Sequence, residues 1–131
     1  MSALVKGLTV GEVVKFELPL NYNRESITLK QNQNATADLE IGTVLKYASG
    51  WEPVVSGSES SAAAILLEKV SKESLAAVGG VKALALVRGP AIVDKDNLSV
   101  AEGVDLDAVV AALEALGIIC RAEPTKQSVG L

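Results

Sequence analysis

The side chains that most often move protons or hold metals are scarce in this sequence, and histidine is absent. Its absence removes the usual proton shuttle near neutral pH and the commonest transition-metal ligand. Neither a Ser-His-Asp nor a Cys-His nucleophile can be assembled within the chain. The single cysteine, Cys120, can form neither an internal disulfide nor a structural zinc site. It follows Ile118 and Ile119, as a small core thiol would. The adjacent Arg121 leaves a second reading open, in which a neighbouring positive charge activates an exposed thiolate.

The carboxylates are no more suggestive. Asp94, Asp96 and Asn97 gather oxygen donors, with Asp105 and Asp107 further on. A calcium loop needs more donors, a central glycine and a bidentate terminal glutamate in register, so turn and helix-end roles suffice for these residues. Glu114 falls opposite the apolar stripe of its helix and has no catalytic partner carboxylate. Gly79-Gly80-Val81-Lys82 lacks the spacing and the hydroxyl residue of a phosphate loop. Asn34-Ala35-Thr36 matches a glycosylation sequon, which carries no weight without a secretory signal, and none is read at the N-terminus. No catalytic residue, metal or cofactor is expected. Two residues invite a structural role instead. Arg88, before Gly89-Pro90, can brace a turn or reach a neighbour's carboxylate. Trp51, the one indole of the chain, suits either the core or a subunit contact, with the core favoured in so aromatic-poor a sequence.

The elements around these residues must fit one domain of 131 residues. Apolar residues make up 49% but aromatics only 3%, so the core must be built from Val, Leu, Ile and Ala. No apolar run exceeds six residues, against about 20 for a membrane-spanning helix. The formal charge is -4 and the basic residues are scattered singly, which argues against a nucleic-acid partner. One cysteine fits a reducing compartment.

Residues 10–20 read as extended, with Val14, Phe16 and Leu18 on one face, and Pro19 bars a central strand. Residues 21–25 are turn-like, and residues 26–30 alternate with Ile27 and Leu29 inward. Further strands are expected at residues 43–47, 51–55, 81–87, 91–93 and 118–121. Residues 62–70 suit helix or strand; their length and flanking turns favour a buried strand. Residues 72–78 stay ambiguous, ended by Gly79-Gly80. The clearest helix spans residues 105–116, capped by Asp105, striped by Leu106, Val109, Val110, Leu113 and Leu116, and stopped at Gly117. The expected architecture is α+β: a small β-rich single domain with one main helix in its C-terminal half and an extended N-terminal arm. The expected divisions are residues 1–25 as arm, 26–121 as domain and 122–131 as a polar tail.

The order and spacing of Arg24-Glu25-Ser26-Ile27-Thr28-Leu29, Gly42-Thr43-Val44-Leu45, the apolar strand from Ala62 and Val87-Arg88-Gly89-Pro90-Ala91-Ile92-Val93 resemble the bacteriophage head decoration protein family, over residues 22–121. The long N-terminal lead and the helix at residues 105–116 depart from the family's pattern. The resemblance implies a non-enzymatic homotrimer on the outer capsid surface, at threefold and quasi-threefold positions. There it would cement the major capsid protein against internal DNA pressure. It also implies manufacture in the bacterial host cytoplasm, no membrane or nucleic-acid partner, and an N-terminal capsid-binding arm. That role is carried onto Val10, Val13, Val14, Phe16, Leu18 and Leu20, with Arg88, Pro90 and Trp51 as trimer or turn contacts. Deleting residues 1–20 should then leave a folded domain that no longer binds. The alternative is another virion or adhesion module, such as a tail component.

Overall fold

A computed structural model describes residues 9–122. Its centre is a closed five-stranded barrel in the order β2-β4-β3-β5-β6, built from β2 (Arg24–Leu29), β3 (Val44–Tyr47), β4 (Trp51–Pro53), β5 (Ala62–Leu66) and β6 (Val81–Leu86). The longest ladder runs antiparallel from Arg24↔Leu86 to Leu29↔Val81. The barrel closes through the parallel pair Leu29↔Trp51, where the Lys30 N–H donates to the Trp51 carbonyl at 2.8 Å. Small and aliphatic side chains fill the interior, among them Ile27, Leu29, Leu45, Ala64, Leu66 and Ala85.

A second layer lies against the barrel wall. It is a three-stranded sheet in the order β1-β7-β8, made of β1 (Val14–Phe16), β7 (Ala91–Asp94) and β8 (Ile118–Arg121). β1 pairs antiparallel with β7, and β7 pairs parallel with β8. The parallel pair needs a crossover, and α3 (Leu106–Glu114) supplies it. Asp105 caps that helix by accepting from the Asp107 N–H at 3.0 Å, while Val109 and Leu113 point inward. Between barrel wall and second layer lies another core that includes Val44, Ile65, Leu67, Val93, Val109 and Ile118.

β5 belongs to both cores, because Ala64 and Leu66 face the barrel while Ile65 and Leu67 face the second layer. A strand covered on both faces needs no polar alternation, which resolves the ambiguous apolar run in favour of a strand. That strand stops at Leu66, short of the expected residue 70. The ambiguous stretch at residues 72–78 holds one short helix, α2 (Lys72–Leu75), capped by the Ser71 hydroxyl. The main helix also ends early: Gly117 takes φ 86°, and Leu116 lies outside the apolar stripe, 42% exposed.

The largest departure is at the N-terminal end. Residues 10–20 are not one extended segment. Val10–Val13 form a single helical turn, α1, in which the Glu12 carboxylate accepts from the Thr9 N–H at 2.8 Å. Val13 is fully buried in the core beneath β7. Only that first turn departs from the extended N-terminal region expected, since residues 14–16 are a strand; Val13 shares its core with Ala91 and Val93 of β7, far along the chain. The tail expected at residues 122–131 lies, beyond residue 122, outside the described residues.

Candidate docking surface

β1 does not alternate as its pattern suggests. Its register slips between Val14↔Val93 and Phe16↔Ile92, the mark of a bulge. The slip leaves Val14 packed on the core and Phe16 48% exposed. Val14 and Phe16 therefore do not share a face. Outward from Phe16 the row continues through Ile92 to Ile119, which is paired with Ile92 across β7 and β8.

After β1 the chain makes a tight turn at residues 18–24. Leu20 and Asn21 both take left-handed backbone, with φ 65° and 58°. For a leucine this conformation costs roughly 1–2 kcal/mol, and the side chain recovers nothing by packing because it is 96% exposed. Tyr22 beside it is 53% exposed. The turn is held from below by Asn23, whose side chain is fully buried. Asn23 Oδ1 accepts from the Leu18 N–H at 2.8 Å, and Asn23 Nδ2 donates to the carbonyls of Arg88 at 2.8 Å and Pro90 at 3.0 Å. Its own carbonyl accepts from the Val87 N–H at 2.8 Å. One amide side chain thus ties the turn to the segment joining β6 and β7. The Gly89-Pro90 peptide in that segment is cis.

Two ion pairs flank the turn. Arg24 binds the Glu17 carboxylate through Nε, at 2.9 and 3.1 Å, and through Nη2. That hydrogen bond raises the Arg24 pKa further, against the opposing effect of burial. Arg88 donates to the Tyr22 carbonyl, pairs with Glu25 and lies 5.5 Å from the Tyr22 ring centroid. Within the chain Arg88 braces the turn, with Glu25 as its carboxylate.

The nine residues singled out from the sequence divide into four groups. Leu18, Leu20, Arg88 and Pro90 converge on Asn23 and the turn it supports. Phe16 stands on the outer sheet face nearby in the chain. Val13 is fully buried in the molecule's own core, while Val10 and Val14 pack against that core and stay partly exposed. Trp51 pairs with Leu29 at the other end of β2 from Arg24, five residues or roughly 17 Å away. It packs partly on the barrel core and meets Tyr47 edge-on, with centroids 5.4 Å apart. Asn23, Glu17, Glu25 and Tyr22 were not singled out. Nothing local marks Asn23 apart from Asn21, since its side-chain partners at Arg88 and Pro90 are 65 and 67 residues away.

Cys120 is buried, with its thiol pushed up to about 11, chiefly by that burial and then by Glu114. Arg121 is exposed on the alternate side of β8, so the activated-thiolate reading is set aside. No group of three or more His, Cys, Asp or Glu side chains among the described residues is placed to hold a metal. No helix among them is long and apolar enough to cross a membrane.

The fold is thus a small closed barrel with a sheet-and-helix layer on one wall and a braced apolar turn on its surface. The family model of the bacteriophage lambda head decoration protein D matches residues 3–119. The chain belongs to that family, whose members are structural rather than catalytic. No individual curated protein matches it.

Proposed function

We infer that this protein decorates the outer surface of a phage head, assembling as trimers at threefold and quasi-threefold positions and bridging neighbouring copies of the major capsid protein. The family membership supports the capsid as partner. The observation that carries the docking site is the turn at Leu20. A fully solvated leucine on a turn tied down by Asn23 is a preorganised anchor, since the backbone that presents it need not be ordered when the side chain enters a socket. Phe16 and Tyr22 flank it and would widen the apolar contact.

β1 adds a second mode of attachment. It lies at the end of its sheet, and its far edge pairs with no strand among the described residues. A capsid segment can add there by main-chain hydrogen bonds. Three such contacts on one trimer raise the effective concentration of each later one, so modest individual affinities suffice. Subunits held this way separate only after decoration contacts break, which resists outward pressure from packaged DNA.

The experiment is co-sedimentation with expanded, undecorated capsids, together with mass measurement in solution. Deleting residues 1–20 is no longer a clean test, because it removes Val13 from the core. Leu20→Gly keeps the backbone geometry and deletes the anchor. Its binding should fall by at least tenfold, or about 1.4 kcal/mol, with the mass of the free protein unchanged. Wild-type binding by this variant would remove the turn from the docking site, and binding to tails in place of heads would replace the capsid as partner.

A further inference from the structure

The two edges of β2 are unequally paired. β6 covers one edge along its whole length, from Arg24↔Leu86 to Leu29↔Val81. On the other edge β4 joins at Leu29↔Trp51, and residues 24–28 have no strand partner there among the described residues. Backbone groups along such a strand alternate in direction. The Asn23 carbonyl accepts from the Val87 N–H, toward β6, whereas the Lys30 N–H donates to the Trp51 carbonyl, toward β4. By that alternation Ser26 and Thr28 point their main-chain groups the way Lys30 does, onto the open edge. Neither N–H has a hydrogen-bond partner among the described residues.

A groove of about 630 Å³ lies between this edge and the β3–β4 hairpin, lined by residues 25–31 and by Tyr47, Ser49, Gly50 and Trp51. Ser26 and Thr28 are exposed beside it, as is Tyr47. An edge strand is ordinarily guarded by a proline, a bulge or a free charge. Residues 24–28 contain no proline, and their ladder with β6 runs without a slip. Their two charged side chains are held by the chain itself, Arg24 by Glu17 and Glu25 by Arg88. β1, by contrast, is three residues long and bulged, a poorer template.

Unpaired main-chain donors and acceptors at strand spacing match one kind of ligand, an extended peptide backbone. Its source follows from where the edge begins. The Arg24 N–H bonds back to the Asn21 carbonyl at 3.1 Å, next to Leu20, and Ser26 lies about 7 Å further along the strand. An interface of ordinary size covers about 800 Å² on each partner, a patch roughly 30 Å across. A partner seated on Leu20 therefore reaches the open edge. We propose that an extended segment of the major capsid protein adds to β2 along residues 24–28, bonded to the main chain of Ser26 and Thr28, with side chains in the groove beside Tyr47. This rests on the capsid reading above and extends it from an apolar anchor to a defined strand edge.

Binding to expanded, undecorated capsids is measured for the full-length protein and two variants. A proline whose N–H would face away from the ladder removes that donor and leaves the β6 pairing in place. Ser26→Pro should weaken binding at least tenfold, while Ser26→Ala, which keeps the N–H, should bind as the wild type does. Amide exchange on the wild type supplies a second measurement that needs no variant. The Ser26 and Thr28 amides should exchange fast in the free protein and become protected on capsids. Fast exchange at both on capsids overturns the proposal, whether or not Ser26→Pro folds. So does wild-type binding by a folded Ser26→Pro, or an equal loss in Ser26→Ala. Each of these results, with binding by the wild type that is lost in Leu20→Gly, leaves the capsid reading standing. A wild-type protein that binds no capsid overturns both.

Discussion

β5 and β1 are both short apolar strands, yet they sit in opposite circumstances. β5 has a core on each face and a partner on each edge, β3 and β6. β1 has one partner, one covered face and a bulge that turns its aromatic residue outward. The first strand is fixed by packing all round it and has no surface left for function. The second packs on the core through Val14, next to the buried Val13 of α1, and at once delivers Phe16 and the following turn to solvent. A decoration protein needs both kinds of segment, one to make the module rigid and one to present it.

The contrast breaks most visibly if a β5 residue is removed. Leu66 is fully buried inside the barrel, so Leu66→Ala should cost about 2–5 kcal/mol, the transfer loss plus a residual cavity. Urea unfolding followed by fluorescence and by circular dichroism would measure it. Because β5 is shared by both cores, the two probes should report one coincident transition. Separate transitions would mean that the sheet layer is stable without the barrel.

Asn23→Ala tests the base of the exposed turn. The substitution leaves the Leu18 N–H and two carbonyls without their partner, at a cost of about 1–3 kcal/mol. The loss should be local as well as global. Amide exchange at Leu18 should quicken more than exchange in β2, while β5 amides follow the global change. Equal protection loss everywhere would show that Asn23 acts on the whole fold and does not specifically hold the turn.

How much of this was legible beforehand follows from the range over which each feature is determined. α3 carries its own cap at Asp105 and its own stripe, and the strands of the barrel carry local β-favouring patterns, so the α+β class could be read directly. Barrel closure could not, because the Leu29↔Trp51 pair depends on where two separate strands meet. Leu116 looked like part of a stripe because periodicity does not register that Gly117 turns the backbone one residue later. Val13 looked like an arm residue because its partners in β7 lie some eighty positions on. At the proposed docking surface, Phe16 and Leu20 are named through the family resemblance, and both are exposed. Asn23 was invisible, since a buried amide and an exposed amide read alike in a polar run.

A pH experiment sharpens the comparison on the helix side. The Glu59 carboxylate accepts from the N–H groups of Asp105, at 3.0 Å, and Gly57, at 2.9 Å, pinning the entry to α3. These bonds favour the charged form, and the Asp105 N–H contributes most, so the pKa is lowered from its ordinary value. A carboxylate whose pKa is lower in the folded state stabilises above its unfolded pKa, and that stability is lost as pH falls through the folded one. Stability should therefore drop as pH falls from near 5 through the range below about 4.3. Glu59→Gln should flatten that part of the profile. An unaltered profile in Glu59→Gln would transfer the acid sensitivity to other carboxylates.

The smallest expected change in stability is at the residue given the largest role in docking. Leu20→Gly has two opposing effects on the free protein. Relief of the left-handed backbone stabilises it by roughly 1–2 kcal/mol. The added freedom of glycine in the unfolded chain costs about 0.4–1 kcal/mol. No packing is lost, because the side chain is 96% exposed. The midpoint of urea unfolding should thus stay the same or rise slightly, in contrast to the fall at Leu66 and Asn23. A marked fall would mean that Leu20 packs on its own chain, and a loss of capsid binding would then reflect a damaged turn. An unchanged or higher midpoint together with lost binding separates the two roles: the left-handed backbone is a cost borne by the isolated protein, recovered only when the leucine enters a partner.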